Sequence, residues 1–182
     1  MSEPSIYERA LHERLLALPK EQLVAMLVDA AKNWLAHDGL WFQAAERQCG
    51  METAIALDVE AWAEFTVIEA RRIMQRHGIA SGGGLSALER ALSYRLYAYL
   101  NVQATLHADS RSLTFVMKAC RVQAARKRKG LPDFPCRPVG LVEYSNFART
   151  IDPRIQTRCI ACPPDAHPDE YWCAWQFTLP EP

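Results

Sequence analysis

The feature that most constrains this chain is a change of hydrophobic period at Asn101. Upstream, apolar residues recur every three to four positions, as in Leu23, Leu27, Ala30, Ala31 and Trp34. That spacing gathers them on one side of a helix. Downstream, Val102, Ala104 and Leu106 alternate with polar residues. Leu113, Phe115 and Met117 alternate again after a turn at Asp109-Ser110. Alternation sends every second side chain to one face of a strand, so 101–108 and 111–119 read as a hairpin. The two periods call for two layers, helices against a sheet.

The remaining elements follow from local signals. Ser5 to Leu18 reads as a short helix that stops before Pro19. Pro19 suits the first turn of a second helix, to about Ala36, because its missing N–H would be unpaired there anyway. His37-Asp38-Gly39 reads as an interruption with Asp38 as a helix cap. A third helix covers about Leu40 to Cys49 and is closed by Gly50. A fourth, about Glu52 to His77, is closed by Gly78 and carries an apolar stripe of Leu57, Ala61, Phe65 and Ile68. Ser81-Gly82-Gly83-Gly84 is a linker, and a fifth helix spans Leu85 to Leu100. After the hairpin come helices at Cys120–Lys129 and Pro138–Ile151. Strands at Ile155–Cys162 and Tyr171–Leu179 finish the chain.

The predicted fold is α+β: an N-terminal helical half (1–100) packed on a four-stranded antiparallel sheet in a cysteine-rich half (101–182). The order of the second half is β-β-α-α-β-β, and both halves are expected to form one compact domain. Basic and acidic residues balance at 21 each, so nucleic acid is not an expected partner. No run of 18 uncharged apolar residues exists, so no membrane partner is expected either. Met1 to Ala10 holds Glu3, Glu8 and Arg9 without an apolar stretch, which argues against a signal peptide and for the cytoplasm.

Cysteine usage narrows the chemistry. Five of six cysteines, Cys120, Cys136, Cys159, Cys162 and Cys173, fall in the last 63 residues. In a reducing compartment such a cluster points to a metal site, a reactive thiol or buried packing. Cys159-Ile160-Ala161-Cys162 is a CxxC, and Cys173 lies on the partner strand of the same hairpin. Cys120 and Cys136 begin helices, where unpaired N–H groups favour thiolate. The five are therefore expected to converge, with zinc or iron as cofactor. Arg121 and Arg158 flank cysteines and are candidate anion contacts. Arg126 to Lys129 read as a solvated helix end. Tyr171, Trp175 and Phe177 share a strand face that Trp62 and Phe65 are expected to cover, leaving a pocket with Trp175 as a ligand contact. Asp58 and Glu69 lie along the same side of that long helix as Trp62 and Phe65.

Asp38-Gly-Leu-Trp-Phe-Gln43, Gly50-Met-Glu-Thr-Ala54, Cys120-Arg-Val-Gln-Ala-Ala-Arg126, Asp152-Pro-Arg-Ile155 and Cys159-Ile-Ala-Cys-Pro-Pro-Asp165 resemble a family of uncharacterised bacterial and archaeal cytosolic proteins, over residues 20–179. That family looks distantly like the L-2-amino-thiazoline-4-carboxylic acid hydrolases. The helices-then-sheet order also looks like the 4-vinyl reductase-type small-molecule-binding domain, in which cysteines near the sheet can hold a metal.

The leading expectation is a small-molecule- or metal-binding protein. A hydrolase of a small cyclic amidine or carboxylated substrate is the alternative, with Cys120, Cys136 or Cys159 as nucleophile and His167, near Asp165, as the available base. A structural protein with buried cysteines is the third reading. A small-molecule ligand and a second copy of the chain are the expected partners.

Overall fold

In the computed structural model, residues 5–180 are described. Met1 to Pro4, part of the segment read for a signal peptide, lie outside the described residues. Helix α1 (Ile6–Leu16) starts at a capping box: the Glu8 N–H donates to the Ser5 hydroxyl at 3.2 Å, and the Ser5 N–H donates to the Glu8 carboxylate at 2.6 Å.

Helix α2 (Lys20–His77) replaces three predicted helices. Its backbone departs from helical angles at Gly50, with φ 81° and ψ 163°, a region reserved in practice for glycine. The Trp34 ring lies 6.0 Å from Trp62 and 5.5 Å from Phe65. A straight helix would hold Trp34 and Trp62 roughly 40 Å apart at about 1.5 Å per residue. The helix therefore doubles back at Gly50 into two antiparallel arms, 20–49 and 51–77. The break expected at His37-Asp38-Gly39 does not occur. A glycine inside a helix costs about 1 kcal/mol relative to alanine, and the packing around this segment outweighs it.

Helix α3 (Gly84–Leu92) is shorter than predicted and is followed by a 3-10 turn at Leu96–Tyr99. Between them Arg95 turns extended. This lets its guanidinium enter the interior, 2% exposed, and meet Glu69 and Glu143. The Leu96 N–H donates to the same Glu69 carboxylate at 3.4 Å.

Strands β1 (Val102–Asp109) and β2 (Ser112–Ala119) form the predicted hairpin. Helices α4 (Arg121–Arg128) and α5 (Arg137–Ile151) follow, then β3 (Gln156–Ala161) and β4 (Cys173–Thr178). All neighbours are antiparallel in the order β1-β2-β4-β3. The register places Leu113, Phe115 and Met117 beside Phe177, Trp175 and Cys173, and this apolar face turns toward the helices. Helix α5 covers it closely because Gly140 has no side chain. A Cβ there would stand 2.5 Å from Cζ2 of Trp175. The second arm of α2 is fastened to α5 by two bonds: the Thr66 hydroxyl donates to the Glu143 carbonyl at 3.0 Å, and Asn146 Nδ2 donates to the Ala63 carbonyl at 3.2 Å. No helix among the described residues is long and apolar enough to cross a membrane.

Candidate functional site

A cavity of about 410 Å³ opens between the arms of α2, the 3-10 turn, α4, α5 and the adjoining ends of β2 and β4. Its walls are largely aromatic: Phe42, Trp62, Tyr97, Phe134, Tyr144 and Trp175. The rings brace one another. Trp62 stacks on Tyr97 at 5.8 Å, and Tyr144 on Trp175 at 4.8 Å. Phe134 meets Phe42 edge-on at 4.7 Å. Phe134 is placed by buried Gln123, whose Nε2 donates to the Phe134 carbonyl and whose Oε1 accepts the Phe134 N–H, both at 2.9 Å.

Arg126 closes one side. Its guanidinium forks onto Glu46 at 2.9 and 3.1 Å, and its Nε donates to the Pro132 carbonyl at 2.7 Å. It is 4% exposed, so the expected solvated charge run is corrected here: Arg126 ties α4 to the first arm of α2. Its neighbours Lys127, Arg128 and Lys129 are exposed, as a solvated run should be.

Acidic groups mark the helical end of the cavity. Asp38 and Asp58 come from opposite arms and both line it, with Glu143 of α5 nearby. The cap role expected of Asp38 is therefore corrected, since the helix runs through it. Burial, followed by the charges of Asp38 and Glu143, pushes the Asp58 carboxyl up to about 7. Burial also raises Asp38, against the opposing pull of His37. Arg95 stays charged. Burial works against its charge, but Glu69 at 2.9 Å and Glu143 at 2.6 Å outweigh that and raise its pKa.

Thiols mark the sheet end. Cys120, Cys136, Cys162 and Cys173 all line the cavity. The Cys136 and Cys162 sulfurs are 3.4 Å apart. Hydrogen bonding to Cys136 and then Cys173, with burial, drives the Cys162 thiol far up. Burial pushes Cys120 up to about 12. Cys120 and Cys162 are neutral thiols at ordinary pH, even though Cys120 stands at a helix start. Burial outweighs the helix N-terminus there.

Cys159 does not join them. It sits on β3 opposite Trp175, packs against the core and lies outside the cavity lining, because a register shift separates it from Ala161. Among the described residues, no three Cys, His, Asp or Glu groups stand as a set arranged to hold a metal ion.

The other predicted site residues divide. Trp175 is fully buried in the cavity wall, and its indole N–H has no hydrogen-bond partner among the described residues. Arg121 reaches the rim, where it is exposed. Arg158 lies on the other face of the sheet, where its Nε and Nη2 donate to Gln176 at 3.1 and 2.8 Å. Of the expected aromatic cover, Trp62 and Trp175 line the cavity. Phe65 instead stacks on Trp34, Phe177 belongs to the core beneath, and Tyr171 precedes β4. His167 is on an exposed loop, within 2.9 Å of the Pro168 carbonyl.

With this geometry in view, comparison with known proteins places the chain. It belongs to DUF6125, a family of unknown function. The match covers residues 16–179. No curated protein matches the chain. Among solved structures it is similar to the phenol-responsive sensory domain of the transcription activator PoxR, determined with phenol. The TM-score is 0.53, with 18% identity over 79% of this chain and 73% of that one. At that identity the likeness is one of fold.

Proposed function

We propose that the protein is a sensory-type binding module that takes a small ring compound into the aromatic cavity. The observation that carries this reading is the cavity itself: about 410 Å³, walled by rings, with a few polar groups at its ends. That is the usual form of a small-molecule site. A fold shared with a phenol-responsive sensory domain determined with phenol supports it. A ligand that binds only the folded state raises the melting temperature with its concentration. Phenol and 2-phenylethanol should therefore stabilise the wild type. Val122→Trp, which fills the cavity from α4, should melt unchanged with or without them. Equal stabilisation of both proteins would sink the reading.

We also propose that zinc or iron binds at the Cys136–Cys162 contact, with Cys120 and Cys173 moving in to complete the set, because no three donors surround a common point among the described residues. An all-sulfur donor set suits either metal. The 3.4 Å approach of Cys136 to Cys162 supports it, because two sulfurs at about 2.3 Å from one ion lie less than 4 Å apart. A metal there would tie the sheet to α4 and α5 and hold the thiols as thiolates. Metal analysis of protein purified without oxygen should find the ion in wild type and in Cys159→Ser, and lose it in Cys162→Ser. The hydrolase reading has less support. The cavity lining includes no histidine, and Cys120 and Cys162 are held protonated.

A further inference from the structure

The inference rests on the ring-binding reading above and concerns the chemistry of the ring compound. Asp38 and Asp58 open onto the cavity from the two arms of α2, and neither forms an ion pair among the described residues. Nearby cations are engaged elsewhere: Arg95 with Glu69 and Glu143, Arg126 with Glu46, Lys32 with Asp29. Arg121 and Arg128 are exposed at the rim, where water screens them. Two carboxyl groups thus face a mostly apolar chamber without an ion pair: Asp58 accepts a hydrogen bond from Trp62, His37 is the cation whose charge bears on Asp38, and the ionisation of Asp58 is opposed by both Asp38 and Glu143. Trp62, Phe42 and Phe134 bound the same space, and aromatic faces attract a desolvated cation. The unpaired indole N–H of fully buried Trp175 also lies in the chamber wall; it is a donor, so it calls for an acceptor atom elsewhere on the guest and not for the ammonium. A dry polar group of this kind is costly unless something binds it.

We propose that the cavity takes a small ring compound bearing a protonated amine, with the ammonium between Asp38 and Asp58 and the ring against the aromatic walls. The fold-back at Gly50 makes the site, since it alone brings the two aspartates to one chamber.

Calorimetry at pH 8 with 2-phenylethylamine, 2-phenylethanol and 3-phenylpropionate tests this with one ring and three charges. The amine should bind about tenfold or more tightly than the alcohol, as a charged hydrogen bond in a partly dry site implies. The propionate should bind weakest. Asp58→Asn should bring the amine down to the level of the alcohol and leave the alcohol unchanged. Asp38→Asn should do the same more weakly. Alcohol binding as tight as the amine, or propionate binding tightest, overturns the cation inference and leaves ring binding standing. If none of the three binds, the ring-binding reading falls with it.

Discussion

The two arms of α2 are alike in length but carry different duties. The second arm buries Ala54, Trp62, Thr66, Ala70 and Ile73 and is bonded directly to α5. The first arm buries Ala31 alone and leaves Val24, Met26, Leu27, Leu40 and Trp41 exposed. It is held by the rings around Trp34, by Arg126 on Glu46 and by Lys129 on Gln43. One arm is core, and the other is a wall of the cavity fastened at a few points. Local opening costs least where few apolar contacts must be given up, so the first arm should open more readily than the second.

The largest effect should come from the core side of this contrast. Phe147 of α5 is fully buried beneath the second arm's partner surface, and Phe147→Ala should cost about 3–5 kcal/mol in denaturant unfolding. Gly50→Ala comes next. The backbone there sits where only glycine is comfortable, with nothing within 4 Å to crowd a methyl group, so strain alone should cost about 1–3 kcal/mol. The same variant should weaken binding of ring compounds, because the arms would no longer meet at the same angle. Unchanged stability would mean that the fold-back is not fixed by this residue.

Arg126→Met should act on the wall alone. It removes charge-assisted bonds worth about 1.5–3 kcal/mol, and hydrogen exchange should quicken over residues 31–49 while 51–77 stay protected. Uniform quickening across both arms would erase the distinction between them. The smallest effect is a pH slope. The folded-state pKa of Asp58 is raised to about 7, above its unfolded value near 3.9. Its contribution is thus complete below about pH 4 and is lost as pH rises toward 7. Asp58→Asn should flatten that part of the stability profile. A wild-type profile with no fall between pH 4 and 7 would contradict the burial of this carboxyl.

The sheet was legible in the sequence because alternation is a local signal. The hairpin at 102–119 and both later strands emerge within a few residues of the expected bounds. The aspartate pair was not legible, since Asp38 and Asp58 are separated by a turn whose hand and sharpness depend on how Trp34 packs on Trp62. The thiols were half legible. Cys120, Cys136, Cys162 and Cys173 line one cavity and Cys136 touches Cys162, but no three of them gather round one point, a bulge in β3 parts Cys159 from Cys162, and pairing of Arg158 with Gln176 across the outer face follows from register alone. Arg95 gave no sequence signal beyond its charge. Its burial depends on Glu69 and Glu143, which come from different helices.

Glu143 belongs to both the scaffold and the chamber. Its carbonyl accepts the bond that joins α2 to α5, its carboxylate holds Arg95, and its charge bears on Asp58. A neutral guest and a charged guest are therefore not equivalent to the rest of the molecule. The neutral one fills space. Under the cation proposal, the charged one would also ease the repulsion that Asp38 and Glu143 exert on Asp58, and through Glu143 that relief would reach the joint between α2 and α5.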